Sequence, residues 1–164
     1  MNRRAFLQSA VALAAVPPAT DRLPISTSVE YSMLPQTASI PERFQIAKDA
    51  GFERIECPTT RDEGDAQKMK DAAAAAGIKI HSVMNMDHWK YPLSSSDPAV
   101  VERSLEGARV SLHNAKLWDA DTILLVPAVV NAEISYRDAY KRSQENIRKL
   151  IPLAEELKVT IAIE

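Results

Sequence analysis

Only one cysteine, Cys57, stands among 164 residues. That excludes an intrachain disulfide and a zinc cluster built on several thiolates. It says little about compartment, because an exported protein need not carry disulfides. Positive charge is not in excess either. The formal net charge is -2, which gives no basic footprint for nucleic acid. No apolar run is long enough to form a stable membrane span. Glycine occurs only four times, and no Gly-rich phosphate fingerprint follows the first predicted strand. Its absence speaks against an open dinucleotide-binding sheet. What remains is ordinary globular composition, 46% apolar and 26% charged, on a chain long enough for one domain with its own core.

The N-terminus has a pattern of its own. Asn2-Arg3-Arg4-Ala5-Phe6-Leu7-Gln8 precedes the mildly apolar stretch Ser9 to Val16. Paired arginines, Phe-Leu and a short weakly hydrophobic segment have the layout of a twin-arginine export signal. Residues 1–19 are therefore expected to direct the folded protein to the periplasm or beyond. Cleavage after Ala19 meets Pro17 at the -3 position, a poor fit to the small-residue rule. Retention as a weak membrane anchor stays open. Residues 20–164 form the domain proper.

From there strands and helices alternate. A strand is predicted from Ile25 to about Tyr31. A helix opens at the capping box Ser39-Ile40-Pro41-Glu42 and runs to Ala50, stopping at Gly51. Phe44, Ile46, Ala47 and Ala50 are its expected buried stripe. Arg54 to Cys57 is the second strand, closed by Pro58. The second helix spans about Asp65 to Ala76, and the third strand Ile78 to Met84. A polar, aromatic loop covers residues 85–96. Asp97-Pro98 then places a capping carboxylate before a proline at the first helical position. The third helix carries Val101, Leu105, Ala108, Leu112, Ala115 and Leu117. The fourth strand is Thr122 to Val126. The fourth helix, about Tyr136 to Leu157, contains Pro152, which should kink or split it. Val159 to Glu164 reads as a fifth buried strand. Strands separated by helices demand parallel crossovers. Apolar strands four and five suit a sheet covered on both faces. This is the α/β pattern of a (β/α)8 barrel. Five strands cannot close one, so the chain is expected to be the N-terminal part of a TIM barrel, cut after its fifth strand.

Four segments carry a resemblance. They are residues 41–52, Ile80-His81-Ser82-Val83-Met84-Asn85, His88-Trp89-Lys90-Tyr91-Pro92-Leu93-Ser94-Ser95, and Leu124 to Val130. Together they are similar to the sugar phosphate isomerase/epimerase family, within the xylose-isomerase-like TIM barrel superfamily. The resemblance implies a divalent metal at the C-terminal mouth, manganese or magnesium foremost, with cobalt or zinc as alternatives. It implies a first ligand, a Glu at the end of strand five, and Glu164 matches that position. The other ligands, an Asp, a His and a second Glu, would come from strands six to eight. It also implies a small-molecule carbohydrate substrate. Homo-oligomerisation stays open.

Five residues are candidates for the site. Glu164 ends a β-branched strand where barrel enzymes place their chemistry. As a hard oxygen donor it suits a divalent ion, and it could also move a proton. The bland alternative is a polar strand end. His81 should share a face with Val83 and Asn85 by the period-two rule, aimed at sugar or packed as a core histidine. His88 and Trp89 lie on the loop after strand three. An indole beside polar groups suits the C–H face of a sugar; a loop anchored by a buried Trp is the alternative. Glu56 is placed at the end of strand two, as a substrate contact or a local ion pair. Glu30 has an unclear register. His113 reads as structural or surface, and Cys57 as packing.

The favoured expectation is metal-dependent isomerisation or epimerisation of a sugar or small hydroxy-ketone. A lyase or hydratase acting on a keto-sugar or cyclic acid would use the same half barrel. A non-catalytic exported carbohydrate-binding barrel is the alternative of another class. Abasic-site nuclease activity is disfavoured, since strand four ends in Val126-Pro127 without a His and the chain is not basic.

Overall fold

A computed structural model describes residues 25–164. The export signal expected at residues 1–19 lies outside the described residues. Among the described residues no helix is long and apolar enough to cross a membrane.

Five parallel strands form one sheet in the order β1-β2-β3-β4-β5, each beside its neighbour in sequence. They are β1 (Ser28–Glu30), β2 (Arg54–Pro58), β3 (Lys79–Met84), β4 (Thr122–Leu125) and β5 (Thr160–Ile163). The helices are α1 (Ile40–Asp49), α2 (Glu63–Ala76), α3 (Pro98–Trp118), α4 (Tyr136–Ile147) and α5 (Ile151–Leu157). Strand–helix alternation of this kind lays helices along a sheet face. That face is dry. Val29, Ile55, Cys57, Ile80, Val83 and Ile123 pack beneath Phe44 and Ala47 of α1, Met69 and Ala72 of α2, and Leu112 and Ala115 of α3. A second cluster joins Leu125 to Leu93, Leu105, Ala108 and Leu150.

Local chemistry sets the boundaries. The Glu42 carboxylate reaches back to the Ser39 N–H at 2.8 Å and to its hydroxyl at 2.6 Å. Asp97 Oδ1 accepts the Ala99 N–H at 2.8 Å, with Pro98 where no donor is needed. Gly77 ends α2 at φ 62, a left-handed position that glycine takes without a Cβ penalty.

Several expectations are corrected. β1 is only three residues long, because Tyr31–Met33 turn into a 3-10 helix with Tyr31 buried. In α1, Ile46 and Ala50 are exposed. Ile46 lies two residues from Phe44, nearly opposite it around the helix. In α3 Leu117 is partly buried against the core as expected, and Trp118 beside it is buried too, its indole N–H donating to the Ala66 carbonyl at 2.8 Å. The expected fourth helix is two helices, α4 and α5, parted around Arg148 to Leu150 just ahead of Pro152, as that proline requires.

The main irregularity lies between β2 and β3. Ile55 pairs with Ile80, yet Glu56 pairs with Ser82, so His81 has no partner and forms a bulge. The extra residue resets the alternation. His81, Val83 and Asn85 therefore do not share a face. Val83 lies in the helix-side core, and Asn85 accepts a bond from Ser111 of α3, whereas His81 turns to the opposite side.

Candidate functional site

The face away from the helices carries a transverse polar row. Glu30 pairs with Glu56, Glu56 with Ser82, Ser82 with Thr122, and Thr122 with Thr160. Their neighbours along each strand supply the core, so these five point the other way. Within the row Ser82 Oγ donates to Glu56 Oε1 at 2.8 Å. Glu30 turns back on its own chain, accepting from Ser32 N at 3.0 Å and from the Ser32 hydroxyl. His81 joins this group from the bulge. Its Nε2 lies 2.7 Å from Ser28 Oγ and 3.4 Å from Ser82 Oγ. Burial pushes its pKa below the ordinary histidine range, partly opposed by the Glu56 carboxylate.

Glu56 does not end its strand. β2 continues through Cys57 to Pro58, which places Glu56 in mid-strand. The level of Ser82 and Thr160 is four residues before Glu164, roughly 13 Å at the strand rise. Glu56 and His81 thus form one group, low on the sheet.

A second group stands at the C-terminal end. Glu164 follows β5, exposed, with its N–H bonded to the Leu125 carbonyl at 3.2 Å. Its carboxylate makes no hydrogen bond with any described residue. His88, on the β3–α3 loop, is 2% exposed. Its Nδ1 accepts the Val126 N–H at 3.3 Å. Burial lowers the His88 pKa, and the nearby Glu164 carboxylate opposes that shift. Trp89 stands edge-on to His88, with ring centroids 5.5 Å apart, and is 68% exposed. The expected alternatives for this pair are thereby exchanged: the imidazole anchors the loop and the indole is free. His88, Trp89 and Glu164 converge at the strand ends, while Glu56 and His81 do not join them.

The supports of this loop went unnoticed in the sequence. Ser94 Oγ accepts the Val129 N–H at 3.1 Å and donates to the Val129 carbonyl at 3.2 Å. Asn146 of α4 donates to the Leu93 carbonyl at 2.8 Å. Asp87 meets Arg61 at 3.1 Å. Beneath the loop Ser111 Oγ links Thr59 Oγ1 at 2.6 Å with Asn85 Oδ1 at 2.9 Å. Their signal in α3 was Ser111, one of three polar residues with Ser104 and Asn114 in its buried stripe. Cys57 is buried, and burial pushes its thiol far above the reactive range, in keeping with packing.

Glu164 suits a divalent ion as one hard oxygen ligand. Among the described residues no group of three or more His, Cys, Asp or Glu side chains could complete a shell. His113 is exposed on α3.

A parallel β/α sheet with a polar inner face, and with a carboxylate and an imidazole at its strand ends, defines a protein of the β/α-barrel class. The chain belongs to the xylose isomerase-like TIM barrel family, whose pattern matches residues 44–164. It is 25% identical over 135 residues to L-ribulose-5-phosphate 3-epimerase UlaE of Escherichia coli O157:H7 (strain EC4115 / EHEC), covering 75% of this chain and 47% of that protein. The fold is similar to that of 3-keto-D-glucoside 4-epimerase YcjR from E. coli, with a TM-score of 0.72, 14% identity, and coverage of 87% of this chain and 56% of the other. It is also similar to a D-psicose 3-epimerase crystallised in the presence of D-fructose, with a TM-score of 0.68, 19% identity, and coverage of 85% and 52%. The chain thus spans about half the length of these proteins.

Proposed function

We propose that the protein, with a complete barrel, is a metal-dependent epimerase or isomerase of a ketose or a small hydroxy-ketone. The observation that carries this reading is the position of Glu164, a carboxylate at the end of β5 with no hydrogen-bond partner among the described residues, near the buried His88. The sequence relationship to a ribulose-phosphate epimerase supports it. A divalent ion, manganese or magnesium foremost and cobalt or zinc next, would stabilise the oxyanion that develops on the substrate. Glu164 is the residue of this chain that would hold it. The same carboxylate is the candidate base. It would take the proton from the carbon beside the carbonyl, leaving an enediolate. Return of a proton to the opposite face of that carbon inverts it; return to the neighbouring carbon moves the carbonyl. Trp89 offers an exposed indole face for the C–H side of the sugar.

Glu164→Gln in a complete barrel tests this directly. Gln keeps the shape and removes the anionic donor. L-ribulose 5-phosphate and D-psicose serve as trial ketoses with added manganese. Turnover should vanish and manganese affinity, read by calorimetry, should fall, while circular dichroism stays unchanged. Undiminished turnover together with undiminished affinity rules the assignment out.

We also propose that residues 1–19 direct export of the folded protein through the twin-arginine route, on the strength of Arg3-Arg4 before a short apolar stretch. Folded export lets a metal be loaded in the cytoplasm. Replacing both arginines by lysine should hold a full-length reporter inside the cell. Unchanged delivery to the periplasm would refute it.

A further inference from the structure

The peptide unit between Leu125 and Val126 is bonded on both sides. Its carbonyl accepts the Glu164 N–H at 3.2 Å. Its N–H donates to His88 Nδ1 at 3.3 Å. A peptide unit is planar and rigid, so one stiff element at the end of β4 sets the imidazole on one flank and the Glu164 backbone on the other. The His88 ring stands where β3 would otherwise continue the ladder.

That bond also decides the chemistry of the ring. A nitrogen that accepts from an N–H carries a lone pair and no proton. In a neutral imidazole the hydrogen is then on the other nitrogen. His88 is thereby fixed with a bare Nδ1 and an Nε2–H. Nε2 has no hydrogen-bond partner among the described residues, although the side chain as a whole is 2% exposed. That nitrogen is not among the fully buried polar atoms left without a partner, so it opens to solvent and is free to donate to a molecule at the mouth. With its proton in place Nε2 has no lone pair to offer, so this nitrogen is not a metal ligand.

We propose that His88 is a substrate-contacting residue. It donates through Nε2–H to a carbonyl or hydroxyl oxygen of the carbohydrate, next to the carbon that Glu164 serves. This rests on the ketose reading above. A neutral donor beside a carboxylate complements an oxygen-bearing carbon: one group gives a hydrogen bond and the other accepts a proton. The loop supports gain a purpose from this. Asn146, Ser94 and Arg61 hold the segment that carries the ring. Trp89 packs against the same imidazole.

His88→Asn in the complete protein separates donor from anchor. The Asn Oδ1 stands near the position of Nδ1 and still accepts from Val126; nothing replaces Nε2–H. Three readouts are taken. Imidazole 15N spectra of the wild type should show Nε2 protonated and Nδ1 bare. For His88→Asn, kcat/KM for the two trial ketoses should fall by about 10-fold or more, as loss of a hydrogen bond to a buried group implies. Its Tm and its manganese affinity should stay at wild-type values. A protonated Nδ1 overturns the assignment, as does wild-type kcat/KM in the variant. A fall in kcat/KM matched by a fall in Tm makes His88 an anchor only, and loss of manganese binding makes it a ligand; either result overturns the proposal. If the wild type turns over neither ketose, the ketose reading fails and takes this assignment with it. The tautomer spectra need no ligand, so a failure there concerns His88 alone.

Discussion

His81 ties the stability of the fold to pH. Burial holds its pKa below the ordinary value, Glu56 and Asp121 oppose that shift, and Arg54 and Lys79 reinforce it. In the unfolded chain a histidine titrates near pH 6.5. As pH falls through that value the unfolded chain takes up the proton first, and folding loses ground until the folded pKa is passed. The contribution is complete above about pH 6.5 and is lost below it. His88 is shifted in the same direction, so the two effects add. We expect Tm to drop between about pH 7 and pH 5.5, above the carboxylate range. His81→Gln should make that drop shallower, with Gln still able to bond Ser28. Identical slopes for wild type and variant would refute the account. At this scale the sequence was legible by residue type but not by placement. The strand-end argument picked out Glu164, and the loop argument picked out His88 and Trp89. The bulge at His81 and the backbone partner of His88, 38 residues away in sequence, come from register and tertiary approach, which no local pattern encodes.

Among the elements, α4 acts on the site from a distance. Asn146 is buried, donates to the Leu93 carbonyl at 2.8 Å and accepts from Lys149 at 2.7 Å. Leu93 itself is fully buried against Leu105, Ala108 and Leu125. Asn146→Ala leaves that carbonyl unpaired in an apolar surround, at a cost of about 1–3 kcal/mol. Amide exchange across residues 85–96 should accelerate, with a lower Tm. Unchanged exchange in that loop would show that α4 does not brace it. Capping chemistry made the elements readable. The Ser39–Glu42 pair, Asp97-Pro98 and Pro152 act within a few residues, and the observed boundaries follow them. Ile46 is apolar by type yet exposed by angle: two positions from Phe44, it faces away from the core. Strand ends were less legible, since β1 is halted by a turn that no proline or glycine announces.

At the scale of the whole molecule, alternation alone announced the parallel sheet, because each crossover needs a helix's length of chain. The partition of the inner face into a low group and a mouth group was not announced, since it depends on one bulge and on how far each strand runs. The same sheet has two open sides among the described residues: β1 pairs only with β2, and β5 only with β4. Beside β5, Ile147, Ile151, Ile161 and Ile163 line a shallow apolar groove. Ile163 is 54% exposed. Unpaired strand N–H and C=O groups next to exposed apolar side chains template association. We expect a protein made of these 164 residues alone to self-associate and to turn over neither trial ketose. Size-exclusion chromatography should show species larger than a monomer, increasing with concentration. Ile163→Lys puts a charge on that edge and should shift the profile toward monomer, as charged residues do on natural edge strands. A monodisperse, active monomer from the unaltered chain would mean that the β5 edge is protected in a way this sheet does not reveal. An Ile163→Lys chain that associates as before would place the contact elsewhere, with the short β1 as the remaining open edge.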